Sequence, residues 1–280
     1  MAVRTPLEWD KRPGVYSPSP RRASAATMGG SVNPPLSDNL IARLNERFEN
    51  EDPREILRWA LFDSDLDRVA VASSFQAEGT CVIDMAVKIR PEVPILFLET
   101  GFHFAETLAF KEQLTELLDL NVVDLVGEHT VESQAAQFGD RLYERDPTMC
   151  CHLNKVAPFT RALHNFDAWI TALRRDSAPT RRDTPILEQY ELESGRWMLK
   201  VNPVANWTRR DTWTYLRQND LPRNPLYDLG YAQIGCAPCT RMRFAGEDER
   251  AGRWDGSQKV ECGIHVTESA RQAEHTGSTR

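Results

Sequence analysis

The stretch that most constrains this chain is residues 68–126, where short apolar runs alternate with helical patterns. "RVAVASSF" (68–75), "VPILFLET" (93–100) and "NVVDLV" (121–126) read as buried strands, being short, apolar and rich in valine. "TCVIDMAVKI" (80–89) and "FAETLAFKEQLTELLDL" (104–120) read as helices between them. Strand, helix, strand, helix, strand with short connections predicts an α/β fold, a mostly parallel sheet flanked by helices.

The flanks extend this plan. In "SDNLIARLNERF", Ser37 is placed to cap a helix whose apolar face is Leu40, Ile41, Leu44 and Phe48. A second helix is expected after Pro53. "AWITAL" (168–173) predicts a further strand, and "ILEQYELESGRWMLKVNPV" (186–204) predicts two strands around a Ser194–Gly195 turn. "TRRDTWTYLRQND" opens with Thr208 and Asp211 at capping-box spacing, with aspartate in place of the usual glutamate. Residues 1–35 are rich in Pro, Arg, Ser and Ala without hydrophobic period, which predicts a disordered leader. The polar stretch 266–280 predicts a disordered tail. Between them the expected units are a main domain, 36–240, and a C-terminal segment, 241–265.

Composition excludes some functions. A net charge of -7 argues against a generally basic nucleic-acid binder. No apolar run is long enough to span a bilayer, and no charged-then-apolar secretory leader opens the chain, so no membrane partner and a cytoplasmic location are expected. The arginine pairs 174–175, 181–182 and 209–210, taken singly, read as solvated surface. Arg241, Arg243, Arg250 and Arg253, taken together, point to a local anion site.

Two loops follow predicted strands. "SSFQAEGT" (73–80) puts small and polar residues at a strand-to-helix turn, which suits either an anion held by backbone N–H groups or a plain turn. "LETGFHF" (98–104) turns sharply at Gly101, and His103 reads as a packing or capping residue. Both loops sit at carboxyl ends of strands, so they line one crevice in which a nucleotide is the natural ligand.

The six cysteines divide by position. Cys81 lies in an apolar helix and reads as core. Cys150 and Cys151 are adjacent, which is poor geometry for a disulfide and misses ordinary zinc spacing. Cys236 and Cys239 have C-x2-C spacing, so four soft ligands are available. Tetrahedral zinc would draw its sulfurs to within roughly 4 Å of one another. Adjacent helical side chains diverge by about 100°, which fits the separated corners of a [4Fe–4S] cube better. Spacing alone leaves the cluster, zinc and a redox thiol pair open. Cys262, in "ECGIH" (261–265), reads either as a surface thiol or as a nucleophile favoured by His265 and nearby arginines.

Taken together, "SSFQAEG", "FLETGFHF", "CCHLNKVAPF", "WITALRRDSAPTR", "VNPVANWT", "NPLYDLGYAQIGCAPCTR", "GRW" and "ECGIH" resemble the assimilatory sulfonucleotide reductases. The resemblance covers roughly residues 40–265 and is closest to the bacterial adenosine 5'-phosphosulfate (APS) reductases. It implies an adenine-nucleotide α-hydrolase-like fold with a mobile, catalytic C-terminal segment. The implied reaction is reduction of APS to sulfite and AMP through an S-sulfo intermediate on Cys262. Thioredoxin, or a glutaredoxin-like donor, is the implied partner. The resemblance assigns Cys150, Cys151, Cys236 and Cys239 to a [4Fe–4S] cluster. Lys155 then lies between cluster and substrate. Ser74, Leu98, Gly101 and Phe102 fall in segments that hold the adenylate. Arg181, Arg250, Arg253 and His265 match positions that hold the phosphosulfate.

Related readings stay in view. Reduction of 3'-phosphoadenosine 5'-phosphosulfate (PAPS), alone or beside APS, is the nearest alternative, and a zinc-stabilised nucleotide-binding regulator is a remote one. Three departures from the family pattern bear on nucleotide affinity: Gly79 in place of aspartate, "LETG" in place of "LDTG", and Ala172 in place of glycine.

Overall fold

In this computed structural model, which describes residues 36–64, 66–192 and 194–265, six strands form one sheet. The leader 1–35 and the tail 266–280 lie outside the described residues. Two helices come first, α1 (Asp38–Phe48) and α2 (Pro53–Arg58). Then β1 (Val69–Ala72), α3 (Ala77–Ile89), β2 (Pro94–Glu99), α4 (Ala105–Leu118) and β3 (Asn121–Val126) build the expected alternation. Four short helices follow, α5 (Val131–Phe138), α6 (Leu142–Arg145), α7 (Pro147–Cys151) and α8 (Ala157–Leu163), with a π-helical turn at His152–Val156 before the last. The sheet is completed by β4 (Ala168–Ile170), β5 (Leu187–Glu191) and β6 (Trp197–Val201), and α9 (Arg209–Gln218) packs behind it.

The sheet order is β3-β2-β1-β4-β6-β5. All neighbours are parallel except β5 and β6, an antiparallel hairpin at one edge. The central strands are apolar throughout because both faces are covered. Val71, Ile95 and Ile170 enter the core on one face, while Ala70, Leu96 and Trp169 enter the core on the other. This is the period-two alternation of a strand between two helical layers.

From β1 the chain steps outward to β2 and β3, then returns to place β4 on the other side of β1. Loops leaving β1 and β4 therefore diverge and open a crevice at their carboxyl ends. The expected strand 168–173 stops earlier: Thr171 N–H still bonds the Val201 carbonyl of β6 at 2.8 Å, and its side chain then turns the chain away. Its hydroxyl bonds Asn202 Oδ1 at 2.5 Å and accepts the Leu173 N–H at 3.2 Å. Helix α3 starts three residues before the expected 80, since Ala77 N–H finds the Tyr227 hydroxyl at 3.0 Å. The Thr208–Asp211 capping box closes in full: the shorter aspartate still accepts Thr208 N–H at 2.8 Å.

One arginine corrects the surface reading of the pair 174–175. The Arg174 side chain is 0% exposed. It bonds Glu78 of α3 at 2.9 Å, Asp176, and both oxygens of Glu249 at 2.8 and 2.9 Å. Glu249 belongs to the C-terminal segment, so this one side chain joins that segment to the sheet. Removing one partner of a buried ion pair strands the others without a counter-charge. Arg174→Met is expected to lower unfolding free energy by about 3–5 kcal/mol, read by urea denaturation. A loss under 1 kcal/mol would show that the cluster is solvated and carries little.

Candidate active site

The crevice beyond β1, β2 and β4 is a cleft of roughly 1180 Å³, counted to its open mouth. Ser73, Ser74, Leu98, Thr171 and Ala172 form its floor, and residues from 233–235 and 250–265 form its far wall. Gln76 holds the two walls together: its Oε1 accepts the Ile234 N–H at 2.8 Å and its Nε2 donates to Ser74 Oγ at 3.0 Å.

The departures have local causes. A Cβ on Gly79 would stand 2.4 Å from Ser73 Oγ. That hydroxyl accepts the Phe75 N–H at 3.0 Å, and Phe75 has a left-handed backbone, φ 54°. The glycine thus leaves room for the side chain that steadies an unfavourable turn. Glu99, the longer acid, accepts the Gly101 N–H at 2.8 Å. Ala172 lines the cleft. Gly101 and Phe102 stand outside the residues that line it, and Phe102 faces the cysteines instead. His103 packs as expected, 4.8 Å from the Phe97 ring, and bonds the Leu98 carbonyl at 2.8 Å.

The far wall is cationic. Arg181 pairs with Glu261 through two bonds, Nε to Oε1 at 2.8 Å and Nη2 to Oε2 at 2.9 Å. Arg250 adds a contact to Oε2 at 3.2 Å. Burial, with Arg181 and Arg253 close by, pulls Arg250 down to about 10, although Glu261 opposes this. Burial is the larger cause, and the neighbouring guanidinium groups add to it. Arg253 lies so close to Gly235 that a Cβ there would stand 2.2 Å from the guanidinium carbon. Its other side meets the Trp254 ring at 4.4 Å. Its buried Nε has no hydrogen-bond partner. Buried donors of this kind are costly unless something accepts from them. The half-buried Cys262 thiol lines the same cleft.

A smaller cavity lies next door. Cys150 and Cys151 reach it from the end of α7, and Cys236 and Cys239 from the turn Ala237–Cys239 and the residue before it. Asn154 Nδ2 approaches Cys150 Sγ at 3.6 Å, and Thr100 Oγ1 approaches Cys236 Sγ at 3.5 Å. Burial and mutual repulsion push Cys150 up to about 12 and Cys239 up to about 11. Burial also opposes ionisation of Cys236, yet Lys155 and Thr100 bring it below the usual thiol range. Lys155 lines both cavities. Burial opposes its charge, but Cys236, Cys151 and Cys262 outweigh burial and hold it protonated.

Comparison with known proteins agrees with this layout. Residues 68–242 match the phosphoadenosine phosphosulfate reductase domain. The chain belongs to that family. The adenosine 5'-phosphosulfate reductase of Streptomyces coelicolor is 42% identical over 226 residues, 81% of this chain and 93% of the relative. The phosphoadenosine 5'-phosphosulfate reductase of Gloeobacter violaceus is 40% identical over 234 residues, 82% and 95% of the two chains. Among solved structures, the PAPS reductase of Candida auris in complex with phosphate aligns with a TM-score of 0.64 at 29% identity, over 74% of this chain and 98% of that one. An FMN adenylyltransferase of Candida glabrata shares the fold alone, with a TM-score of 0.50 at 14% identity over 86% of each chain.

Within this family member, Gln76, Glu78, Arg174, Glu249 and Glu261 are cleft or wall residues that the sequence did not single out. Their partners lie 75 to 158 residues away, apart from the Ser74, Asp176, Gln233 and Arg250 contacts. His265 lies in the cleft's buried wall. Its ring stacks on Trp169 at 5.7 Å with 5° between planes, its carbonyl accepts from Lys200 at 3.3 Å, and its Nδ1 has no partner. Burial first, then Lys200, Arg181 and Arg250, hold it well below the usual histidine range.

The docked imidazole is therefore neutral. Its folded value lies below the unfolded one near 6.5, so its contribution is complete above about pH 6.5 and falls as pH drops below it. Phenylalanine keeps the stack and cannot protonate. Between pH 7.5 and 5.5, wild type is expected to lose more thermal stability than His265→Phe. Equal losses would mean that the imidazole stays solvated.

Proposed function

We propose that this protein reduces APS to sulfite and AMP with electrons from thioredoxin or a glutaredoxin-like dithiol, in sulfate assimilation leading to cysteine. The observation that carries the reading is a thiol, Cys262, lining one cleft at the strand ends together with Arg181, Arg250, Arg253 and Lys155. The relatives' names support APS, and the Gloeobacter name keeps PAPS as the competing substrate.

In this reading Ser74 and Leu98 hold the adenylate from the strand ends, with Gly101 and Phe102 shaping the loop behind them. Guanidinium forks pair with phosphate and sulfate oxygens, which holds the substrate and offsets its repulsion of a thiolate. Cys262 thiolate attacks the sulfate sulfur. An S–S bond forms as the S–O bond to the phosphate breaks, and AMP leaves with that electron pair. A dithiol partner then attacks Cys262 Sγ, sulfite departs with the S–S electrons, and the partner's second thiol frees Cys262 as the partner becomes a disulfide. His265 closes the wall behind the substrate. The segment 241–265 moves to let the partner reach Cys262.

Cys150, Cys151, Cys236 and Cys239 are read as ligands of a [4Fe–4S] cluster. Among the described residues no three His, Cys, Asp or Glu side chains gather closely enough to share one ion, yet these four thiols line one cavity. A donor set of four mutually repelling thiols suits a wide, positively charged group. When bound, the cluster supplies positive charge at the cysteine end of Lys155. Lys155 itself presents its ammonium to the phosphosulfate. Among the described residues no helix is long and apolar enough to cross a membrane. We place the enzyme in the cytoplasm, where reduced thiols persist.

Two measurements test the reading. Protein purified without oxygen is expected to be brown, with about four irons and four sulfides per chain; zinc in their place overturns the cluster. Sulfite release is expected from APS, with Cys262→Ser losing both turnover and the 80 Da-scale adduct (roughly one SO3) on that residue. Turnover of PAPS alone would reverse the substrate assignment, and an adduct on the serine variant would move the nucleophile elsewhere.

A further inference from the structure

Glu261 immediately precedes Cys262 and has no role from sequence beyond its place in the "ECGIH" motif. Its carboxylate is the partner of two of the three arginines in the cationic wall. Arg181 meets it as a fork on a fork, Arg250 adds a bond, and Thr180 Oγ1 donates to Oε1 at 3.3 Å. Arg250 also donates to the Val260 carbonyl at 2.9 Å. Both side chains of the Arg181–Glu261 pair are 14% exposed. Burial disfavours the charge on Glu261, but Arg181 and Arg250 hold it below the usual carboxylate range.

A carboxylate in a guanidinium fork has the geometry of a phosphate or sulfate oxygen pair in the same fork. We propose that Glu261 is an internal competitor for the anion subsite, occupying Arg181 and Arg250 until a ligand oxyanion displaces it. This rests on the reading of the cleft as a nucleotide phosphosulfate site. Two consequences follow. A ligand's apparent affinity is the intrinsic affinity multiplied by the fraction of molecules in which Glu261 has left the subsite. Displacement also frees the backbone at Cys262, because the carboxylate and the thiol sit on consecutive residues. The residue thereby sets affinity and controls exposure of the nucleophile through the arginines; it is a positioning residue, not a catalytic one. Arg253 lines the same cleft and makes no bond to Glu261; its buried Nε has no hydrogen-bond partner.

The test uses the intact, anaerobically purified enzyme and three variants, Glu261→Gln, Glu261→Ala and Glu261→Asp. AMP affinity is measured by calorimetry, and alkylation of Cys262 by iodoacetamide is followed by peptide mass mapping. If the closed form holds about nine-tenths of the population, Glu261→Gln binds AMP about tenfold more tightly than wild type. Free Glu261→Gln is alkylated faster than free wild type, and AMP accelerates alkylation only in wild type. Glu261→Asp, which keeps the charge, returns affinity toward wild type. A purely structural residue would give the opposite pattern, with weaker AMP binding in the Gln and Ala variants. Unchanged or weaker binding by folded Glu261→Gln overturns the proposal while leaving the nucleotide reading intact, as does wild-type alkylation that AMP fails to accelerate. If wild type binds no AMP, the nucleotide reading fails, and inorganic phosphate against chloride at equal ionic strength decides the inference. Acceleration of Cys262 alkylation by phosphate in wild type but not in Glu261→Gln supports it; no acceleration in wild type overturns it.

Discussion

The constraint on which the site depends is a single buried cation. Arg174 sits just past the end of β4, out of solvent, and bonds carboxylates from α3, from its own turn and from the C-terminal segment. A buried guanidinium is tolerated only with such partners, and each partner is fixed by the same requirement. Gln233 extends the set by donating to Glu249 at 2.7 Å. The result is that the segment carrying Arg250, Arg253 and Cys262 is held against the open ends of the strands. The Gln76–Ile234 and Arg181–Glu261 bonds add to that attachment and complete the wall opposite the floor.

Charge is then divided between two adjoining spaces. The chain as a whole is acidic, yet its cleft gathers Arg181, Arg250, Arg253 and Lys155. Net charge describes solubility and long-range attraction, while binding is decided by what stands within a few ångströms. Lys155 belongs to both spaces, so the charge state of the cysteine cavity is felt at the substrate end without any atom crossing between them. The π-helical turn His152–Val156 carries this lysine, and single turns of this kind recur at functional sites.

Local signals made the scaffold legible. Strand β3 covers the expected 121–126, Ser37 and Thr208 cap the helices they announce, and the hairpin turns at Gly195. These features depend on a few neighbouring residues. The cysteine pairs and the crevice were also readable, because motif spacing and strand order carry them. Arg174 was not. A pair of arginines reads as surface on average exposure, and the partners that bury this one are 75 and 96 residues distant. Gly101 and Phe102 show a subtler limit: the loop was located, but which of two neighbouring spaces it faces depends on the Phe102 carbonyl accepting Ala237 N–H at 2.7 Å.

The same distinction explains why Glu261 escaped notice beside a cysteine that did not. A thiol is conspicuous by chemistry, whereas an acid next to it is ordinary until its partners are known. Once Arg181 and Arg250 are seen on it, the acid ceases to be a neutral bystander. Three guanidinium groups on one wall repel one another, and burial adds to the cost of charging Arg250 even with Glu261 present. Some internal counter-charge is therefore needed for the wall to stay assembled between ligands. Placing that charge on the residue before Cys262 means that the carboxylate pairing with the wall is also the thiol's neighbour in the chain, so the assembly of the wall bears directly on where Cys262 is held.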